Sequence, residues 1–85
     1  MDSKQIDELG RRIIAERLEV NISDVVDEAS FIEDFDADVM NLIEIVLDIE
    51  DETGIQISNH EIDSIRAVGD LMSLVKRKNE ERQSS

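Results

Sequence analysis

The chain has 85 residues, no cysteine and no proline, and its 22 acidic and 9 basic residues give a formal net charge of −13. This length suits one small domain, and the missing cysteines exclude disulfides and thiolate metal sites. The charge excludes nucleic acid as a partner and favours basic protein surfaces, and the apolar runs are too short to span a membrane, so we expect a cytoplasmic monomer.

The first predicted helix runs from Ser3 to about Leu18. Its apolar residues recur at three- and four-residue steps, while charged residues fill the positions between them. Asp2 or Ser3 is placed to cap this helix. Gly10 costs the helix about 1 kcal/mol relative to alanine unless another residue packs against it.

Residues 19–37 show no sustained periodicity and are predicted to form a long connection. Connections of this length are uncommon unless they are held down or functional. We expect its apolar side chains to attach it to the core, namely Ile22, Val25, Val26, Phe31 and Ile32.

A second helix is predicted to begin at Asp38, whose carboxylate can cap it, and to run to about Thr53, with Gly54 as its stop. Ser58 and Glu61 have the spacing of a capping box for a short third helix.

The last predicted helix has apolar residues from Val68 to Val75 and ends in the basic sequence KRK. The predicted fold is therefore all-α, a small bundle of three principal helices and one short helix. Residues 1–78 are expected to form a single domain, and residues 79–85 a frayed tail.

The second helix has an apolar arc of about 220°, much wider than the stripe of ~100° that packing on one core requires. The centre of this arc predicts four core contacts, Leu42, Ile45, Val46 and Ile49. An apolar strip of Met40, Ile43 and Leu47 lies beside them, next to Glu44 and Asp51. Either a neighbouring helix covers this strip, or it is a docking surface for a partner with basic edges.

Aspartates at alternate positions also invite a calcium interpretation. In an EF-hand loop starting at Asp34, Asp36 and Asp38 would fill the third and fifth positions. The sixth position must then be glycine and is Val39, and the twelfth must be acidic and is Ile45. A dedicated metal site is therefore not predicted, and a calcium-responsive helix–loop–helix module remains only as the alternative function.

An enzyme active site is not predicted. His60 is the only histidine, and it lies at a predicted helix start among Ser58, Asn59 and Glu61, with no plausible Ser/His/Asp arrangement. The chain also lacks a cysteine nucleophile.

The segment ASFIEDFDADVMNLIEIVLDIEDETGIQI, with its F-x-E-D, A-D and E spacing, resembles the central region of acyl carrier proteins. The resemblance extends from the first helix to about Val75. It implies a carrier that serves fatty acid biosynthesis or a related branch of lipid metabolism, and it implies the same helical bundle.

In that family, a serine after the helix-capping aspartate carries 4'-phosphopantetheine, the arm on which the acyl chain is held. Asp38 matches the aspartate, and Val39 stands at the serine position. Valine has no hydroxyl, so the chain as written is expected to carry no cofactor, and phosphopantetheine would be expected only if position 39 were serine.

The resemblance also implies partners, namely basic patches on synthases, acyltransferases and phosphopantetheinyl transferases. Three departures are Asn41, where an aspartate is usual, Asp36, where a glycine is usual, and Ser58, where a proline is frequent. Together, the apolar strip and the resemblance predict the residues for partner binding, which are Met40, Asn41, Ile43, Glu44, Leu47, Glu50 and Asp51. The residues that the resemblance implies for an acyl pocket, or simply for the core, are Phe31, Ile49, Ile57, Ile65 and Leu71.

Three accounts of Val39 remain open. It can be an engineered serine-to-valine change that keeps a carrier unmodified, or a natural change in a divergent interaction subunit. The third account is a false alignment.

Overall fold

A computed structural model describes residues 1–84, which form a bundle of four α-helices. Helix α1 spans Ser3–Leu18, α2 spans Val39–Thr53, α3 spans Asn59–Asp63 and α4 spans Val68–Ser84. A single 3₁₀ turn, Ile22–Asp24, lies between α1 and α2, and no strand occurs within residues 1–84. The predicted all-α bundle of three long helices and one short helix is confirmed.

Side-chain caps fix the starts of the helices. Asp2 accepts a hydrogen bond from the Gln5 N–H at 2.8 Å, and the Gln5 side chain accepts one from the Asp2 N–H at 2.9 Å. Asp38 caps α2 and Ser58 caps α3 in the same reciprocal way. At the end of α2, Gly54 has φ 77°, a left-handed conformation that favours glycine.

The core lies where α1 packs against α2 and α4. The four core contacts predicted for α2 are all buried, and Ile45 and Ile49 have almost no exposed surface. Gly10 of α1 lets Met72 of α4 approach closely, because a Cβ at position 10 would lie 2.6 Å from the Met72 methyl carbon. This contact explains a glycine in the middle of a helix.

The connection between α1 and α2 is attached differently from what the sequence predicted. Val25 and Phe31 are buried as expected, whereas Ile22, Val26 and Ile32 are exposed, so the prediction was wrong for these three. Two small residues, Ala29 and Ala37, are buried in the connection instead.

Backbone pairing holds the connection in place. Ser30 and Ala67 form an antiparallel bridge, in which the Phe31 N–H donates to the Arg66 carbonyl at 3.1 Å. The Val68 N–H donates to the Ala29 carbonyl at 2.9 Å. These hydrogen bonds fix the main chain directly, so the connection can leave several apolar side chains in solvent.

Helix α4 continues to Ser84, which differs from the frayed tail predicted for residues 79–84; Ser85 lies outside the described residues. The Asn79 side chain is buried and donates a hydrogen bond to the Met1 carbonyl at 2.9 Å. This contact ties the last turns of α4 to the N-terminus. None of the described helices is long and apolar enough to cross a membrane.

Candidate functional site

The start of α2 places Val39 at the surface. Asp38 accepts a hydrogen bond from the Asn41 N–H at 2.8 Å, and the Asn41 side chain accepts one from the Asp38 N–H at 3.0 Å. Val39 is the first residue of the helix and is 66% exposed. Its side chain is therefore accessible to another protein.

The residues at this position do not fit covalent attachment of a phosphopantetheine arm. A phosphodiester to the arm needs a hydroxyl oxygen, and the Val39 side chain is hydrocarbon only. No serine or threonine occurs from Phe31 to Glu52. The nearest hydroxyl downstream, on Thr53, lies at the far end of α2 and donates to the Ile49 carbonyl at 2.6 Å.

A small apolar hollow of about 120 Å³ lies beside Val39. The connection, α2, α3 and the segment after α3 supply its apolar lining residues. Its polar lining residues are Arg66, Asp38 and Asp63. The apolar residues that line it are Phe31, Ile32, Ala37, Leu42, Ile62 and Ile65.

The residues expected for an acyl pocket separate into two groups. Phe31 and Ile65 line the hollow beside Val39. Ile49, Ile57 and Leu71 are buried in the core and are not among the residues that line it.

The apolar strip of α2 faces mainly outward. Met40 is 61% exposed and Leu47 is 52% exposed, while Ile43 between them is half-buried. Within residues 1–84, no other helix covers the two exposed side chains. The strip is therefore an accessible apolar surface with Glu44 and Asp51 on the same helix.

Arg17, in the last turn of α1, pairs with two carboxylates on α2. Its Nε lies 2.5 Å from Asp48 Oδ2 and its Nη2 lies 2.9 Å from Asp48 Oδ1, while Nη1 lies 3.3 Å from Glu44 Oε2. The hydrogen bonds from Arg17 lower the pKa of Asp48, and Asp48 in turn raises the pKa of Arg17. The negative charges of Glu44 and Asp48 are therefore partly neutralised by a cation of the same chain.

Other predicted contact residues also have internal roles. Glu50 accepts a hydrogen bond from the Ile57 N–H at 2.7 Å, which joins α2 to the segment before α3. Asn41 belongs to the α2 capping box. Asp51 is exposed, and among residues 1–84 its side chain forms no hydrogen bond or ion pair.

The structure does not bring the alternating aspartates together as metal ligands. Asp34 accepts a hydrogen bond from the Ser30 N–H at 2.6 Å, and Asp38 caps α2. Within residues 1–84, no group of three or more acidic or histidine side chains could hold a metal ion.

Two features of this surface were missed from the sequence. Arg17 was not connected with Glu44 and Asp48, because the charge pattern within one helix does not show which helix lies beside it. Ile32 was assigned to the core and is instead exposed beside Val39. Residues 31–35 form a turn, so neither helical nor strand periodicity could show from the sequence that Ile32 would be exposed.

Comparison with known families gives one match over most of the chain. Residues 11–75 match the family model described as a phosphopantetheine attachment site. The matched range includes the connection, α2, α3 and the first half of α4.

Curated relatives and a solved structure agree with this match. The chain is 37% identical over 68 residues to the acyl carrier protein of Thermotoga maritima, covering 80% of this chain and 84% of that protein. It is 33% identical to that of Thermosynechococcus vestitus, covering 92% and 96%. A solved structure of the acyl carrier protein from Enterococcus faecalis aligns with a TM-score of 0.78 and 26% identity, over 92% of this chain and 99% of that one.

Proposed function

Because the chain belongs to the acyl carrier protein family, we propose that it docks onto acyl-processing enzymes through α2 as an interaction subunit that carries no phosphopantetheine. The family consists of carriers without catalytic activity that interact with acyl-processing enzymes, usually in fatty acid biosynthesis. Its members hold acyl groups on 4'-phosphopantetheine. This chain keeps the family fold and has Val39 at the position where the resemblance expects the modified serine.

One observation carries the proposal. Helix α2 presents an exposed apolar strip next to carboxylates, and its first turn has no hydroxyl to which an arm could be attached. Met40 and Leu47 offer apolar contact area, and Asp51 offers an unpaired negative charge on the same helix. Such a surface suits a partner with an apolar groove and basic edges, because charge complementarity speeds encounter and fixes orientation.

Arm transfer to a Val39→Ser variant tests whether this docking surface is competent. The variant is incubated with coenzyme A and a broad-specificity phosphopantetheinyl transferase, and intact-protein mass spectrometry follows the gain of one arm. We expect the variant to be modified, the unchanged chain to remain unmodified, and an excess of the unchanged chain to slow the reaction by competing for the transferase.

A charge-matched pair then locates the docking surface. Asp51→Lys in the Val39→Ser background should slow modification by about tenfold at low salt, because it reverses a charge on the docking helix. Glu80→Lys makes the same charge change on the exposed surface of α4 and should have a much smaller effect. Equal rates for these two variants, or no competition by the unchanged chain, would show that α2 does not dock.

A further inference from the structure

Arg17 lies against the part of α2 that a basic partner would approach. Its guanidinium is bidentate to Asp48, at 2.5 and 2.9 Å, and reaches Glu44 at 3.3 Å. These contacts join the last turn of α1 to the middle of α2. Both carboxylates that it contacts are therefore already occupied by a cation of the same chain.

Glu44 is the carboxylate closest in register to the apolar strip. It lies four residues after Met40 and three residues before Leu47, so all three side chains share one face of the helix. A partner whose apolar groups cover Met40 and Leu47 would bring its basic groups to Glu44. The partner's basic group would then meet the guanidinium of Arg17, which already contacts Glu44.

The Arg17 contacts can be exchanged for contacts with a partner. The Arg17 and Glu44 side chains are 44% and 45% exposed, and the Asp48 side chain is 31% exposed. Ion pairs at this exposure are weak because water screens them, so they open readily. A competing cation must still replace a bidentate guanidinium, which arginine does better than lysine because its planar fork matches a carboxylate.

From this geometry we propose that Arg17 is a specificity-determining residue that competes with a partner's basic group for Glu44 and Asp48. The inference rests on the proposed docking through α2, and it adds that the kind of basic group on the partner sets how fast docking occurs. A partner with an arginine at this point displaces Arg17, whereas a partner with only a lysine or only apolar contacts docks more slowly.

Neutralising Arg17 tests the competition, with Arg77 as a charge-matched control. Arg77 lies on α4 and pairs with Glu61 and Glu81, so Arg77→Gln makes the same change in net charge on another element. Association of each variant with an immobilised broad-specificity phosphopantetheinyl transferase is measured at low and high salt. We expect Arg17→Gln to associate about two- to fivefold faster than Arg77→Gln at low salt, with the difference shrinking at high salt.

A second measurement needs no partner. An NMR titration of the Asp48 carboxyl group should give a higher pKa in Arg17→Gln than in the unchanged chain, because Arg17 is the group that lowers it. An unchanged Asp48 pKa would show that the ion pair does not form in solution. That result would overturn the inference and leave docking through α2 intact.

The other outcomes are also decisive. Equal association of Arg17→Gln and Arg77→Gln would overturn the competition while leaving the proposed function standing. Slower association of Arg17→Gln would overturn it too, because Arg17 would then be organising the carboxylates for the partner. If neither the unchanged chain nor any variant binds the transferase, the docking function itself fails, and the competition fails with it.

Discussion

Asp36 shows how a single residue can reveal a local departure from the family pattern. Its backbone has φ 52°, in the left-handed region that costs most residues with a side chain free energy and suits glycine. The resemblance to acyl carrier proteins places a glycine at this position. The backbone of Asp36 is therefore held in a conformation that glycine adopts more easily.

Replacing Asp36 by glycine should stabilise the protein. We expect the free energy of unfolding to rise by about 0.5–1 kcal/mol, because relief of the left-handed conformation outweighs the greater flexibility of glycine in the unfolded chain. Chemical denaturation monitored by circular dichroism measures the change.

Glu28→Gly is the matched control, since it removes one negative charge from the same connection at a position without a positive φ. It should lower stability instead. If both variants were stabilised equally, the gain would come from reduced charge and not from the backbone of Asp36.

At the scale of the elements, Glu61 joins two helices. Its Oε1 accepts hydrogen bonds from the Ser58 N–H at 3.0 Å and hydroxyl at 3.1 Å, and lies 3.0 Å from Lys78 Nζ of α4. The Ser58 N–H, followed by Lys78, lowers the pKa of Glu61 from 4.5 to about 2. The ionised carboxylate therefore caps α3 and attaches it to α4.

This pKa shift predicts how the capping contact responds to acid. Because the folded pKa lies below the unfolded one, the contribution of Glu61 is complete above the unfolded value and is lost as the pH falls towards about 2. The stability difference between the unchanged chain and Glu61→Gln should therefore shrink between about pH 5 and pH 2.5. Urea denaturation across that range measures it.

Glu80→Gln, on the exposed surface of α4, removes the same charge without touching a cap. The difference in unfolding free energy between the unchanged chain and Glu80→Gln should vary less over the same pH range. A constant difference for Glu61→Gln would mean that the ionised cap does not hold α3 in place.

The positions of the helices were the part of the structure that the sequence predicted best. Period, caps and stop residues located both ends of α1 and α2 and the start of α3 almost to the residue, because each of these signals acts within a few positions of the chain. Arg17 is the counterexample. Its pairing with Glu44 and Asp48 depends on how α1 lies against α2, which neither helix encodes alone.

For the whole molecule, charge repulsion is the dominant electrostatic feature. The net charge is −13, and several of the few cations are shared between neighbouring acids, as Arg11 is between Asp7 and Asp27. Most carboxylates are therefore left to repel one another. Such repulsion destabilises the folded chain at low salt and is relieved by counterions.

Magnesium and calcium should therefore stabilise the chain to a similar extent. At equal millimolar concentrations in low-salt buffer, we expect either ion to raise Tm by about 2–5 °C through screening of the acidic surface. Differential scanning calorimetry with each chloride salt measures the increments.

In Asp34→Ala, magnesium and calcium should raise Tm by the same amounts as in the unchanged chain. The Tm without added ions will be lower, because Asp34 accepts a hydrogen bond from the Ser30 N–H. A calcium increment well above that of magnesium, and lost in Asp34→Ala, would instead favour the calcium-responsive module.

The family resemblance seen in the sequence is confirmed at the scale of the molecule, and so is the bundle that it implied. The path of the connection was less predictable. Its side chains suggested attachment through apolar contacts, whereas the main chain is held by hydrogen bonds to Arg66 and Val68. Backbone pairing between distant segments leaves little trace in composition or periodicity.

The bridge between Ser30 and Ala67 also bears on how the molecule opens. It links the connection to the segment just before α4, so neither can leave its place without breaking hydrogen bonds to the other. The amide protons of Phe31 and Val68 are then expected to exchange with solvent together, as parts of one cooperative unit. Phe31 also lines the hollow beside Val39, so we expect the hollow to widen when the bridge is released.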